Sequence, residues 1–219
     1  MVAVLTADLV ESSLYEEEVL GKVLNALKAE FTHIRDNYGE DSVRLKIYRG
    51  DSFQGVLKKP EEALKIALQI KAAVNRIHLK KTKKNRAYSK IAIGIGTQNI
   101  EREAISESNG QAFQFSGRTL DEMKTENRKT RLKTELEEVN AEFNTSFFLM
   151  DTITDKWSTA SAEVVYYLLS GLKEREIATE INISQSAVNQ RKKAAGWEAI
   201  SELLTRYRNV ITTRFNDGE

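Results

Sequence analysis

The chain carries 219 residues, with 33 Lys and Arg against 32 Asp and Glu, two His and no cysteine. That near-neutral balance excludes a globally basic nucleic-acid surface, so any contact with nucleic acid must rest on local charge. The missing thiols exclude disulfides and thiolate metal sites, and two histidines argue against a His-rich zinc centre.

Length allows one to two domains with a sizeable core. No apolar run reaches the length of a membrane span. The first residues meet Asp8 with no basic segment before it, unlike a signal peptide. A cytoplasmic protein without membrane contact is expected.

Val2 to Leu9 is a short, β-branched apolar run, suited to a buried strand. It ends on Asp8, followed by Glu11, Ser12 and Ser13. The carboxyl edge of such a strand is where ligands collect in open α/β sheets, although Ser12 or Ser13 would also serve as a helix cap. From Leu14 to Tyr38, Val19, Val23, Leu24, Leu27, Phe31 and Ile34 keep helical spacing, and Gly39 closes the helix. His33 lies in this helix without a metal-ligand partner and is read as structural or solvated.

Val43 to Leu57 is two β-prone runs broken by Gly50-Asp51, a hairpin signal that lifts a carboxylate to the tip. Pro60, the sole proline, opens a second helix with Ala63, Leu64, Ile66, Ala67, Ile70 and Val74 on its buried face. Residues 80–86 form a basic loop, a solvated connector or a contact with phosphate. Tyr88 to Gly96 reads as a central strand, with glycines where another element approaches closely. Residues 100–108 are polar and loop-like. Gln111 to Lys124 suits a helix through Phe113, Leu120 and Met123, and Arg131 to Leu136 reads as an edge strand.

The order β-α-β-β-α-β-α-β predicts an α+β, ferredoxin-like or palm domain over residues 1–137, an antiparallel core sheet with its helices on one face. From Glu138 the period becomes helical. Val139, Phe143, Phe147, Met150, Ile153 and Trp157 predict one long connecting helix over 138–157 within an all-α region spanning 138–219. Ser161 to Leu169 supplies another helix, stopped at Ser170-Gly171.

Residues 173–197 predict two short helices. Ile177, Ala178 and Ile181 form the inner face of the first, Asn182-Ile183 the turn, and Ser184 the cap of the second. Val188 packs inward, leaving Gln185, Ser186, Asn189 and Gln190 outward, with Arg191, Lys192 and Lys193 placed for phosphates. The pattern resembles the helix-turn-helix that ends sigma-like regulators. Trp197 to Phe215 reads as a closing helix and a candidate dimer contact through Ile200, Leu203, Leu204 and Tyr207.

Asp8, Asp51 and the strand Ile93-Gly94-Ile95-Gly96 resemble class III nucleotidyl cyclases and their palm relatives. Arg49-Gly50-Asp51-Ser52-Phe53 is also similar to the signature hairpin of diguanylate cyclases. The resemblance implies that Asp8 and Asp51 hold magnesium or manganese against a nucleoside triphosphate. It also implies that Glu11, Ser12, Ser13 and Gly50 face the nucleotide phosphates. Two carboxylates plus substrate phosphates is a usual way to hold magnesium, and paired ions support in-line displacement.

Taken whole, the chain resembles the SatD family, in which a cyclase-like domain precedes a helix-turn-helix. The resembling pieces are Ala7 to Ser12, Arg49 to Phe53, Asn109 to Phe113, Ile183 to Arg191 and Gly196 to Ala199. Active class III cyclases carry a charge-stabilising Asn and Arg four residues apart. Counted from Gly117, those positions hold Asp121 and Thr125. The base-selecting Lys position falls on Ile47, and the adjacent Lys46 should face the other way.

The function expected from these features is a DNA-binding transcriptional regulator, acting as a homodimer. Its cyclase-like domain would bind a nucleotide and divalent metal or serve as a dimerising scaffold. The alternatives are an active magnesium-dependent nucleotidyl cyclase or nucleotide-signal synthase, and a purely structural pairing module.

Overall fold

The computed structural model of the protein describes residues 1–48, 50–79, 87–98 and 109–215. Arg49, the basic loop at 80–86 and the polar stretch at 100–108 lie outside those residues. Strands β1 (Val2–Leu9), β2 (Val43–Tyr48), β3 (Ser52–Leu57), β4 (Ser89–Gly96) and β5 (Thr130–Lys133) form one sheet in the order β2-β3-β1-β4-β5. The first four strands pair antiparallel and β5 joins β4 in parallel. With helices α1 (Glu17–Tyr38) and α2 (Ala63–Asn75) interposed, this is the ferredoxin-like order expected from the sequence.

Alternation along the strands sorts side chains between two faces. Ala3, Leu5, Ala7, Ile91, Ile93 and Ile95 bury against α1 and α2, where Phe31 meets Phe53 at a ring distance of 5.5 Å. Val4, Ala92 and Gly94 turn the other way, onto α3 (Gln111–Met123). The sheet is therefore covered on both faces, and the expectation of helices on one face is corrected.

The reason lies in chain geometry. Strands β3, β4 and β5 are mutually parallel, and both crossovers step the same way across the sheet. Because α2 and α3 lie on opposite faces, the β3-α2-β4 and β4-α3-β5 connections have opposite hands. The near-universal preference for right-handed crossovers would have put α3 beside α2. Glycines make the second crossing feasible. A Cβ on Gly94 would sit 2.2 Å from the Ala112 carbonyl oxygen and 2.6 Å from the Ser116 nitrogen. That is the close approach the glycine-marked strand predicted.

Beyond the sheet come α4 (Glu137–Thr154), α5 (Thr159–Leu169), α6 (Glu174–Glu180), α7 (Gln185–Ala194) and α8 (Trp197–Phe215). The long helix ends at Thr154, three residues short of Trp157. Trp157 instead lies buried past the helix end, its indole N–H donating to the Ala195 carbonyl at 2.9 Å. Of the four α8 residues expected to form a dimer contact, two are taken up by the chain itself, while Leu203 and Leu204 stay half-buried. Ile200 and Tyr207 are buried in the chain's own core. Tyr207 donates to the Pro60 carbonyl at 3.2 Å and stands edge-on to Phe143 at 5.1 Å.

Residues of the sheet half and the C-terminal helices thus share one hydrophobic core. Helix α2 lies at its centre, with every residue but Lys65 buried. A polar knot crosses the same region. Lys71 on α2 donates to Thr130 at 2.5 Å and to Asp151 on α4 at 3.2 Å. The other oxygen of Asp151 accepts the Lys129 and Thr130 amides at 2.7 and 2.9 Å. Burial pushes the Lys71 ammonium down, opposed by the Asp151 charge. Removing one member of a buried pair strands the other.

Asp151→Ala should therefore lower stability by about 3–5 kcal/mol in urea unfolding. Lys71→Met should cost less, because Asp151 keeps its two amides and the Thr130 hydroxyl; the reverse ranking would refute this account. A second expectation concerns pH. Glu30 on α1 is 2% exposed, and burial raises its carboxyl above the usual range, against the Tyr166 hydroxyl, His33 and Arg76. Its contribution is complete below the unfolded carboxyl range and is lost as pH rises through the raised folded value. Glu30→Gln should thus raise the urea midpoint at pH 7–8 and gain little near pH 4. Equal gains at both would contradict it.

Candidate functional site

Two places gather the residues singled out by sequence. The first is the end of the sheet where β1 meets the β2-β3 hairpin. Asp8 occupies the α3 face of β1, with Ser52 and Lys90 as its cross-strand partners and Tyr48 next in the row. Asp51 sits at the hairpin tip beside Ser52, and its carbonyl accepts the Leu9 amide at 3.0 Å. Asp8 and Asp51 therefore come to the same end of neighbouring strands. Gly50, exposed and at φ 79°, makes the turn that brings the tip there.

The chain leaves β1 through an unusual turn. The Val10 amide donates to the Tyr88 carbonyl at 2.9 Å, and the Tyr15 hydroxyl holds the Val10 carbonyl at 2.8 Å. Burial pushes that hydroxyl up to about 12. Glu11 takes a left-handed conformation at φ 58°, and a 3-10 turn follows over Ser12–Leu14. A left-handed residue before a right-handed turn makes successive amides converge into an anion-binding nest. The amides of residues 11–13 have no backbone partner among the described residues. Ser12 caps no helix, because α1 starts at Glu17. Its hydroxyl donates to the Asp51 carboxylate at 2.7 Å, and Ser52 donates to the other oxygen at 3.3 Å. Ser13 is exposed.

Neighbouring charges bear on Asp8. Lys90 donates to the carbonyls of Met123 and Glu126, the latter at 2.9 Å, closing the end of α3, and burial pushes its ammonium down. Asp121 is exposed and ion-paired with Lys124 at 2.7 Å. The exposed Thr125 bonds only back to the Glu122 carbonyl. Ile47 turns into the α1–α2 core, whereas Lys46 pairs with Gln54 on the face of Asp8. Gln54 in turn donates to Thr6 at 3.2 Å, and Thr6 to Ser116 at 2.8 Å.

The second place is the surface of α7. Ser184 accepts the Ala187 amide at 3.1 Å and caps the helix. Asn182, at φ 52°, makes the turn from α6. Val188, Ile177 and Val164 form a small core of α5, α6 and α7. Gln185, Ser186, Gln190 and Lys193 are exposed, and Asn189, Arg191 and Lys192 are half-buried. Three of these residues meet carboxylates. Lys192 pairs with Glu174 at 2.8 Å, Asn189 donates to the same group at 3.4 Å, and Arg191 pairs with Glu163 at 3.4 Å. The Lys192 hydrogen bond holds the Glu174 carboxyl below its usual range.

The model of the SatD family matches residues 2–212. The chain belongs to the SatD family. No curated protein matches it. Among solved structures it is similar to a bacterial light-regulated adenylyl cyclase at 15% identity and TM-score 0.44, covering 60% of this chain and 74% of that one. It is also similar to the guanylyl cyclase Cya2 at 15% identity and TM-score 0.36, covering 53% of this chain and 67% of the other.

Two features of this SatD-family chain escaped the sequence reading. Glu174 meets Asn189 and Lys192 of α7 from 15 and 18 positions away, a proximity that no local pattern encodes. The Ser12–Asp51 bond joins a strand end to a hairpin tip, and only their shared position at one sheet edge could have signalled it.

Proposed function

We propose that this SatD-family protein is a DNA-binding transcriptional regulator whose sheet half binds a nucleotide with magnesium or manganese. The observation that carries the DNA reading is the α6–turn–α7 unit. Its Ser184 cap and Asn182 turn set up a helix-turn-helix in which Gln185, Ser186 and Gln190 stay exposed. Gln and Asn pair with adenine edges, and Arg191, Lys192 and Lys193 offer charge to phosphates. Because Glu163 and Glu174 already pair with Arg191 and Lys192, phosphates must compete for those cations. A lone helix binds weakly, so two copies are expected on DNA, with their α7 helices about 34 Å apart.

For the nucleotide, the residues fit a metal carried in with phosphates. Asp8 and Asp51 are two carboxylates on neighbouring strands, and magnesium usually takes one or two carboxylates alongside substrate phosphates. Among the described residues no group of three or more His, Cys, Asp or Glu side chains is placed to hold a metal ion. The bound ion would neutralise phosphate charge there. The chain's own part is to orient: Ser12 holds the Asp51 carboxylate, while the amides of 11–13 and Gly50 face the phosphates. An active cyclase is the second reading, and its charge balance is adverse. Asp121 stands where a neutral or cationic stabiliser is required, and a carboxylate there repels a developing phosphate charge.

Two measurements test the proposal. Calorimetric titration with ATP and GTP should give binding that requires magnesium and is lost in Asp51→Asn, with the fold unchanged by circular dichroism. Binding that persists in the variant would remove the metal site. On DNA selected from a random pool, Gln185→Ala should cost about 1–3 kcal/mol and relax base preference at one position. Lys192→Ala should weaken all sequences alike and reduce the salt slope by about one. Selection that enriches no sequence would refute the regulator reading.

A further inference from the structure

A groove runs along the seam between α2, the end of α5 and α8. It comprises two adjoining cavities of about 430 and 300 Å³ that share Lys65, Leu169 and Arg208 in their walls. Trp197, Leu168 and Leu204 line the larger one. Lys65 is the one residue of α2 not buried. Its ammonium makes no ion pair among the described residues and stands 5.9 Å from the Tyr38 ring centre. Arg208 reaches in from α8 and pairs with Glu62 at 2.6 Å, while Tyr38 donates to the other Glu62 oxygen at 3.0 Å.

Two buried acceptors in these walls lack donors among the described residues. Gln69, 1% exposed in the smaller cavity, has a side-chain oxygen with no hydrogen-bond partner, and one carboxylate oxygen of Glu61 in the larger is in the same condition. Buried acceptors left unpaired are costly, and native proteins seldom keep them without a use. The seam therefore offers an unpaired cation, apolar and aromatic walls, and acceptors awaiting a donor. Pockets with these mixed walls are the usual form of small-molecule sites.

We propose that this seam is a binding site for a small organic anion that has a flat apolar body and an N–H or O–H donor. The anionic group meets Lys65, with Arg208 beside it. The flat body lies along Trp197 and Leu204, and the donor satisfies Gln69 or Glu61. None of its wall residues lies on β1, at the hairpin tip or on α7, and the inference is independent of the nucleotide and DNA readings. Because its walls come from the sheet half and from the closing helix, an occupant ties the two together.

The probe is 8-anilinonaphthalene-1-sulfonate, which combines a sulfonate, fused rings and an anilino N–H. Fluorescence titration of the full chain should saturate at one equivalent, with affinity at least tenfold weaker in Lys65→Met. Ser201→Trp, which fills the larger cavity, should abolish the saturable component, and Phe148→Ser, on an exposed part of α4, should leave it unchanged. Loss of affinity on adding excess indole-3-acetate, a smaller anion of the same kind, would extend the assignment beyond the dye. Binding that never saturates, or that is equal in the wild type and Lys65→Met, overturns the proposal. So does binding that falls with Phe148→Ser. If Ser201→Trp fails to fold, Lys65→Met alone decides.

Discussion

Asp151 performs three tasks that no other described side chain combines. It receives two backbone amides at the start of β5, accepts the Thr130 hydroxyl at 2.8 Å, and faces Lys71, the buried charged residue of α2. An edge strand of four residues has little pairing of its own to hold it. Its attachment to α4 through a carboxylate fixes where the second half of the chain leaves the sheet. From there the positions of α5 and α8 follow, since α5 packs on α2 and α8 on both α2 and α4. A buried ion pair is weak evidence for extra stability, because hydrophobic replacements often do as well. Its worth here is in register: an apolar substitute would fill the space without directing two amides.

The same logic explains the opposite face. Helix α3 lies so close to β4 that only glycine fits at Gly94, and the Thr6–Ser116 hydrogen bond locks β1 to it. With α3 there, Asp8 is backed by a helix whose end is closed by Lys90. Asp8 is thus backed by α3, and Asp51 is held by Ser12 and Ser52 at the hairpin.

Much of this was legible in the sequence, and the limits are physical. Strands, hairpin and helices announced themselves through period, Gly50-Asp51, Gly39 and Ser184, because those signals are local. The face occupied by α3 was hidden, since the handedness rule that normally decides it is broken in one of the two crossovers. Nothing in the sequence marks Lys71 and Asp151 as buried, because burial of a charge depends on what the rest of the chain brings against it. Ile200 and Tyr207 lie on an apolar face of α8, but pattern alone cannot say whether such a face covers the chain itself or a second copy. At the sheet edge, Asp8 and Asp51 could be placed by topology, whereas the Ser12 contact required the left-handed turn at Glu11.

The enclosure of α2 has a consequence for how the chain is made. A helix buried along almost its whole surface needs cover on almost every side, and part of that cover comes from α5 and α8, which are translated well after it. During synthesis the sheet half emerges with that helix bare toward the missing partners. Sequence-distant contacts of this kind slow folding and leave sticky intermediates. Packing around α2 is therefore completed only after α5 and α8 have emerged.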